Sequence, residues 1–282
     1  LVINNFMSII TLTTDYGLKD HFVGALKGKI LSEYREAIIV DISHEIDPFN
    51  ISETSYIIGA SYSSFPKKSV HLIGVDIERN NETQHIAMQW NDHFFICADN
   101  GILSILIEKI RPEKIVAINF HERLTPDASD TDVFVKTACH LAKGGALSIV
   151  GKEIETIKSV TELQPIVSDD LKSIKGHVIY IDHLGNAVTN ISKKMILEIA
   201  KGRKFNVHFK NKEIKNIYST YSEVGNSEIY QKNNYIGLKM AVFNEAGFVE
   251  IAIYKSNPNS VGSANSLLGL NYRDQISIVF EK

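Results

Sequence analysis

The sequence predicts an α/β protein of two domains: an N-terminal domain with a largely parallel sheet flanked by helices, then a C-terminal antiparallel β-barrel. Three observations carry this expectation. The chain has 282 residues, about twice the usual size of one domain. Up to about Val150, short β-branched runs alternate with helical patterns, the rhythm of βαβ units. After Gly176 the apolar runs are short, alternate with period two and end in turns, as antiparallel sheets require.

Taken in order, Ile9 to Thr13 reads as a strand, Gly24 to Tyr34 as a helix, and Ile38 to Ile42 as a strand. Ser52 to Ser61 is the next helix and Val70 to Val75 the next strand. Thr125 to Thr131 is a polar gap before a helix from about Asp132 to Lys143, which Gly144-Gly145 stops. From about 153 to 175 the pattern weakens into charged and polar residues around Pro165, as in a connection between domains. The N-terminal domain is therefore expected over 1–165 and the barrel over 176–282. Barrel strands are expected at His177 to Ile181, Lys204 to Phe209, Tyr235 to Phe243, Phe248 to Tyr254 and Gln275 to Phe280.

Composition narrows the function. Apolar types make up 44% and charged types 22% of the chain, so a sizeable core can form. With 30 basic and 33 acidic residues the net charge is −3, which gives no footprint for nucleic acid or an anionic membrane. Small neutral or zwitterionic ligands fit better. Cys97 and Cys139 have no partner at metal-ligand spacing and read as buried free thiols in a reducing cytoplasm. The opening residues hold no basic leader and no cleavage site, so a cytoplasmic protein is expected, with Met7 its start. Neither GxGxxG nor a P-loop occurs.

Chemistry-bearing residues cluster where strands end. Thr13-Thr14-Asp15-Tyr16-Gly17 follows the first strand, and ligands of open α/β sheets bind outside the carboxyl ends of strands. Asp15 and Asp20 line that crevice, where one carboxylate can hold a ribose diol and the other an ammonium; a turn aspartate capping the next helix is the competing explanation. Asp41-Ile42-Ser43-His44-Glu45-Ile46 precedes Asp47-Pro48-Phe49-Asn50, whose Phe49 either stacks on a flat base or packs in the core. Asp76 ends an apolar strand, a good position for a catalytic carboxylate. Ala98-Asp99-Asn100-Gly101 is a turn, possible also as a hairpin. In the second half, Asp182-His183-Leu184-Gly185-Asn186 sets a carboxylate and an amide around one glycine. Asn186 can pair with an adenine edge through both its carbonyl and its NH₂, or merely form the turn.

In order, these segments, with Phe22-Val23-Gly24-Ala25-Leu26-Lys27-Gly28 and the tail Leu267-Leu268-Gly269-Leu270, resemble the S-adenosyl-L-methionine (SAM) hydroxide adenosyltransferases, relatives of the fluorinases and chlorinases. The resemblance implies a homotrimer, with SAM between one subunit's N-terminal domain and its neighbour's barrel. It implies that Asp15 holds the ribose hydroxyls, Phe49 stacks on adenine, Asn186 reads the adenine edge, and Asp20 and Asp182 face the methionine ammonium. Asn244 and Glu245 stand where relatives contact the methionine end.

The reaction that the resemblance implies is attack of water at the ribose C5′ with methionine leaving, supported by an Asp, Arg and His trio. Asp76 matches the Asp, whereas the Arg position falls on Thr83 and the His position on Ser129. A glycine-rich turn after the Asp is replaced by Ile77-Glu78-Arg79-Asn80. The expected function is hydrolysis of SAM to adenosine and L-methionine, with no cofactor or metal, and with Arg79 or His85 substituting for the missing partners. The alternative is a protein that binds SAM or adenosine without turnover. Halide use is unsupported.

Overall fold

The structure is a computed structural model and describes residues 9–107, 110–215, 217–226 and 236–281; Met7 and Tyr235 lie outside them. The chain divides into two compact units, Leu1–Glu162 and Leu163–Lys282.

The first unit contains β1 (Ile9–Thr14), α1 (Phe22–Glu33), β2 (Ile38–Ser43), α2 (Ile51–Ser61), β3 (Val70–Gly74), β4 (His85–Trp90), β5 (His93–Ala98), α3 (Ile102–Ile107), β6 (Lys114–Ile118), α4 (Asp130–Ala142), α5 (Leu147–Val150) and β7 (Gly151–Glu153). Its sheet runs β2-β1-β3-β5-β4-β6-β7. The four strands β2, β1, β3 and β5 run parallel to one another, and the remaining pairings, from β5–β4 onward, are antiparallel. The reversal comes from a two-residue turn between β4 and β5, where Asn91 and Asp92 have φ of 52° and 63°. Two successive left-handed residues make the type I′ geometry that suits hairpin twist.

Both faces of this sheet are covered, which explains why all five residues of β3 are buried. Ile10, Leu12 and Leu72 meet Leu26 and Ile30 of α1 and Phe134 of α4. Ile73, Phe95 and Cys97 belong to a second cluster with Ile58 of α2 and Leu103 of α3. Cys139 sits in the first cluster and Cys97 in the second, and both are free thiols. Burial raises both, Cys139 to about 11, so neither is a ready nucleophile. Ile154 and Ile157 pack on the second cluster. Beyond them, Lys158 donates its amide to Asp99 at 2.8 Å and Val160 to Ser104 Oγ at 3.0 Å.

The second unit contains β8 (Ile166–Val167), β9 (Ser173–Ile181), β10 (Ala187–Ser192), α6 (Lys193–Ala200), β11 (Phe205–Phe209), β12 (Lys212–Ile214), β13 (Ile217–Tyr218), α7 (Tyr221–Asn226), β14 (Lys239–Phe243), β15 (Phe248–Ile253), α8 (Ala264–Leu268) and β16 (Gln275–Phe280). The strand order is β12-β11-β16-β9-β10-β15-β14-β13, with β8 added to β9. Every pairing is antiparallel except β13 with β14. Because β12 also comes against β14, the sheet curls into a nearly closed, barrel-like form. Inward residues such as Ile174, Val178, Val207, Ile251 and Ile276 fill it. Among the described residues, no helix is long and apolar enough to cross a membrane.

Candidate active site

In the first unit the site residues stand at the carboxyl ends of the parallel strands. Asp15 follows β1 directly and does not cap α1, whose N-cap is His21 without a side-chain bond. Instead its Oδ2 accepts the Phe49 amide at 3.1 Å. Phe49 has φ of 62° and leaves its ring 69% exposed, so the ring is outside the core. The loop carrying it is braced by Glu53, which accepts from the Asp47 amide and from Asn50 Nδ2, each at 3.1 Å. Gly17 donates to the His44 carbonyl at 2.7 Å, which ties the two loops together. His44 itself is buried between Thr14 Oγ1 at 2.7 Å and Asp41 at 3.1 Å, a structural role. Asp20 is exposed.

A cleft of about 560 Å³ opens beside Asp15, lined by Tyr16, His21, Phe22, Ala25, Leu26, Lys29 and Thr131. That volume is in the usual range for a small-molecule site. Tyr16 lies over Gly74 at the end of β3, where a side chain would crowd Thr14 and the Tyr16 hydroxyl. Burial, followed by the carboxylates of Asp15 and Asp130, raises the Tyr16 phenol, against a hydrogen bond with Thr131. It stays a neutral donor.

Asp76 sits just past β3 at φ of 48°. The buried Asn100 fixes that bend by donating Nδ2 to the carbonyls of Val75 and Asp76 at 3.2 and 3.1 Å. The Asp99-Asn100-Gly101 turn therefore leads from β5 into α3 and is no hairpin. The carboxylate of Asp76 has no hydrogen bond to another described residue. Beyond it, Asn80 Oδ1 accepts the amides of Glu82 and Thr83 at 2.8 and 2.9 Å. This turn buries Thr83.

Ser129 is the N-cap of α4, in a capping box with Asp132. Its hydroxyl donates to Asp132 at 2.7 Å and accepts from Lys29 at 3.4 Å. Its neighbour Asp130 turns toward the Asp76 loop, accepting the Arg79 amide at 3.2 Å. His85 Nε2 is 2.8 Å from the Ile77 carbonyl and 3.6 Å from Asp130, so its proton is on Nε2. Burial lowers the His85 pKa, opposed by Ile77 and Asp130, which keeps the ring neutral. The structure thus gathers Arg79, His85 and Asp130 around the loop, and Asp130 is a residue that sequence reasoning missed.

In the second unit Asp182 and Asn186 close the turn between β9 and β10. Asp182 Oδ1 accepts the Asn186 amide at 2.8 Å and Oδ2 accepts Asn186 Nδ2 at 2.9 Å. Asn244 starts the turn between β14 and β15, accepting the Phe248 amide at 3.0 Å, and Glu245 is exposed beside it. Tyr221 and Glu250 join this group: Tyr221 donates to Glu250 at 2.6 Å and lies 3.4 Å from Asn186 Nδ2. Burial raises the Glu250 pKa, opposed by Tyr221 and reinforced by Asp182, with a smaller opposing bond from Asn244. The sequence signal for Glu250 is one carboxylate inside the apolar run Val249-Glu250-Ile251; Tyr221 leaves none. Among the described residues, no three His, Cys, Asp or Glu side chains gather as metal ligands.

Known proteins are similar to this chain over nearly its whole length. The profile of the SAM hydroxide adenosyltransferase N-terminal domain matches residues 10–151, and that of the C-terminal domain residues 176–277. A Methanocaldococcus jannaschii protein named (R)-S-adenosyl-L-methionine hydrolase is 30% identical over 98% of both chains. A fluorinase of Nocardia brasiliensis is 23% identical over 71% of this chain and 76% of its own. Among solved structures, a conserved protein of Thermotoga maritima superposes with a TM-score of 0.81 at 28% identity, over 96% of this chain and 99% of that one. With both domain profiles matched in order along one chain, the protein belongs to the SAM hydroxide adenosyltransferase family.

Proposed function

We propose that the protein hydrolyses S-adenosyl-L-methionine to adenosine and L-methionine. Water forms a bond to the ribose C5′, the C5′–S bond breaks, sulfur leaves with the electron pair as the thioether of methionine, and the water loses a proton. A sulfonium leaves without protonation, so the protein's work is to align one water and exclude others. The observation that carries the reading is Asp15 bonded to the amide beneath an exposed Phe49 ring, at the mouth of a cleft of ligand size. Asp15 takes the ribose hydroxyls, Phe49 the adenine face and Asn186 its edge. Asp20 and Asp182 take the ammonium, and Asn244 and Glu245 lie toward the methionine end. The names of the relatives support the substrate.

In this reading Asp76 accepts a hydrogen bond from the water, near the substituted positions Thr83 and Ser129. Its carboxylate has no partner among the described residues, as a water-binding group requires. Of the two substitutes, Arg79 is the better, because His85 commits its only proton to Ile77. The protein works as a cytoplasmic homotrimer, in which the Asp15 loop of one subunit and the Asn186 loop of its neighbour share one ligand. Light scattering should show three chains.

A second reading, binding without turnover, is favoured by one observation: the Ser129 hydroxyl is already engaged by Asp132 and Lys29. Chromatography of each sulfonium epimer of SAM after incubation with pure protein, with and without chloride, separates the two. Adenosine with equimolar methionine, independent of chloride, is the expected result. No product with saturable adenosine binding would favour the second reading, and no binding of either would remove both.

A further inference from the structure

Side chains from three different elements hold the loop that leaves Asp76. Its sequence, Asp76-Ile77-Glu78-Arg79-Asn80-Asn81-Glu82-Thr83, has no glycine, and residues 78–82 are exposed. An exposed loop takes its path from what holds it. At the start, Asn100 donates to the carbonyls of Val75 and Asp76 at 3.2 and 3.1 Å. One residue on, His85 of β4 donates Nε2–H to the Ile77 carbonyl at 2.8 Å. Two residues further, Asp130 Oδ2 accepts the Arg79 amide at 3.2 Å.

These holds differ in what anchors them. Asn100 and His85 are buried where β5 ends and β4 begins. Asp130 is half-buried at the first residue of α4. It is fixed there because Ser129 and Asp132 close the capping box on either side of it, and because its neighbour Thr131 is hydrogen-bonded to the Tyr16 side chain. The helix itself does not depend on Asp130: the cap runs between Ser129 and Asp132, and Val133, Phe134 and Ala138 are what α4 buries. The second oxygen of Asp130 lies 3.6 Å from His85 Nε2, so one carboxylate stands beside two of the three holds. Burial lowers the pKa of His85 and of His121, Arg79 adds to that, and the Asp130 carboxylate opposes it at both.

We propose that Asp130 is a positioning residue for SAM hydrolysis: by holding the Arg79 amide, and by its charge beside the imidazole that holds Ile77, it keeps Asp76 where the reacting water binds. The inference rests on the reading that Asp76 accepts a hydrogen bond from that water. Asp76 turns at a φ of 48° without being glycine, and such a residue relaxes toward an ordinary conformation once the chain beyond it is loose. A displacement of about 1 Å at a reacting group can cost a hundredfold in rate. The same bond sets where the Arg79 side chain leaves the backbone.

The test compares full-length wild type, Asp130→Ala and Asp130→Asn in kcat and KM for adenosine formation from SAM, with adenosine calorimetry and a thermal melt on the same samples. Asp130→Ala is expected to lower kcat about ten- to a hundredfold, while KM and the adenosine affinity stay within about twofold of wild type. Its melt should move little, because the Ser129–Asp132 cap is kept. Asp130→Asn keeps an oxygen for the Arg79 amide and should recover kcat to within about threefold of wild type. Hydrogen exchange should quicken over residues 77–82 in Asp130→Ala and stay unchanged over 133–142. An unchanged kcat in Asp130→Ala, a loss that Asn does not recover, or unchanged exchange over 77–82 would overturn the proposal. So would a joint fall of kcat, adenosine affinity and melting temperature, the mark of a residue that serves only the fold. Turnover that survives Asp76→Ala, or a wild type that forms no adenosine, would instead remove the underlying reading, and this inference with it.

Discussion

The backbone amide of Phe49 donates to the Asp15 carboxylate across 3.1 Å, joining the loop after β1 to the loop before α2. One carboxylate oxygen is thereby fixed, and the residue lines the cleft beside it. The same bond holds the Phe49 backbone at its positive φ of 62° with the ring in solvent.

Phe49→Ala should therefore weaken adenosine binding by about 1–3 kcal/mol, the usual worth of a base–aromatic stack. Because the ring is 69% exposed, its removal should leave the melting temperature almost unchanged. Calorimetry and a thermal melt on the same sample check both halves. A large drop in melting temperature would mean that the ring is buried in the working protein.

Asp76→Ala should abolish adenosine formation and spare adenosine binding, since the carboxylate holds no described neighbour in place. Asp76→Gly should be equally inactive but more stable than Asp76→Ala by about 1 kcal/mol, because the position has φ of 48°. Single-turnover assays and urea midpoints compare the pair. Equal turnover in wild type and Asp76→Ala would assign the water to other residues.

Ser129→Ala should cost about 1 kcal/mol of stability through loss of the α4 N-cap, with little effect on turnover. Thr83→Arg with Ser129→His should raise adenosine production more than either change alone, because residues that hold one water act as a unit. The gain should come with a lower melting temperature, since the cap is lost and position 83 is only 9% exposed. A double change that merely adds the two single effects would separate these positions from the reacting water.

Stability should decline in mild acid. His71 is fully buried, with Thr11 Oγ1 2.7 Å from one ring nitrogen and His93 3.1 Å from the other. Burial, with a smaller effect from His93, lowers its pKa to about 3, against about 6.5 in an unfolded chain. The unfolded state then binds the extra proton between those values, so stability is complete above about pH 6.5 and falls as pH drops toward 3. The loss by pH 5 should be about 2 kcal/mol. Urea midpoints at pH 7.5 and 5 measure it, and His71→Phe should flatten the slope.

The parallel half of the first unit was legible because its apolar runs are long and bounded by polar turns. The helix starts were not: α1 begins at Phe22 and α4 at Asp130, each two residues earlier than the apolar pattern suggests. For α4 the reason is the Ser129 cap, which draws polar Asp130 and Thr131 into the first turn. The β4–β5 hairpin was hidden because Asn91-Asp92 contains no glycine, while Asn100-Gly101, which does, turns into a helix. Asp15 and Phe49 could be named from their strand-end positions. Asp130, Tyr221 and Glu250 could not, since their roles depend on pairings between distant segments that carry no shared spacing.

The stretch that passes over α2 and α3 after β7 has a bearing on how the protein can be cut. Ile154 and Ile157 rest on the core, Lys158 and Val160 are stitched to Asp99 and Ser104, and Glu162 takes the Ser52 hydroxyl. Gly101, at φ of 112°, is bare because a side chain there would strike Val160. A fragment ending at Gly151 would thus be left with an uncovered apolar face and a loose Asn100 turn, the same turn that fixes the bend at Asp76. Expression of the first unit alone calls for a terminus at or beyond Glu162, and a protease that nicks the chain near Ile157 would disturb the Asp76 loop without cutting it.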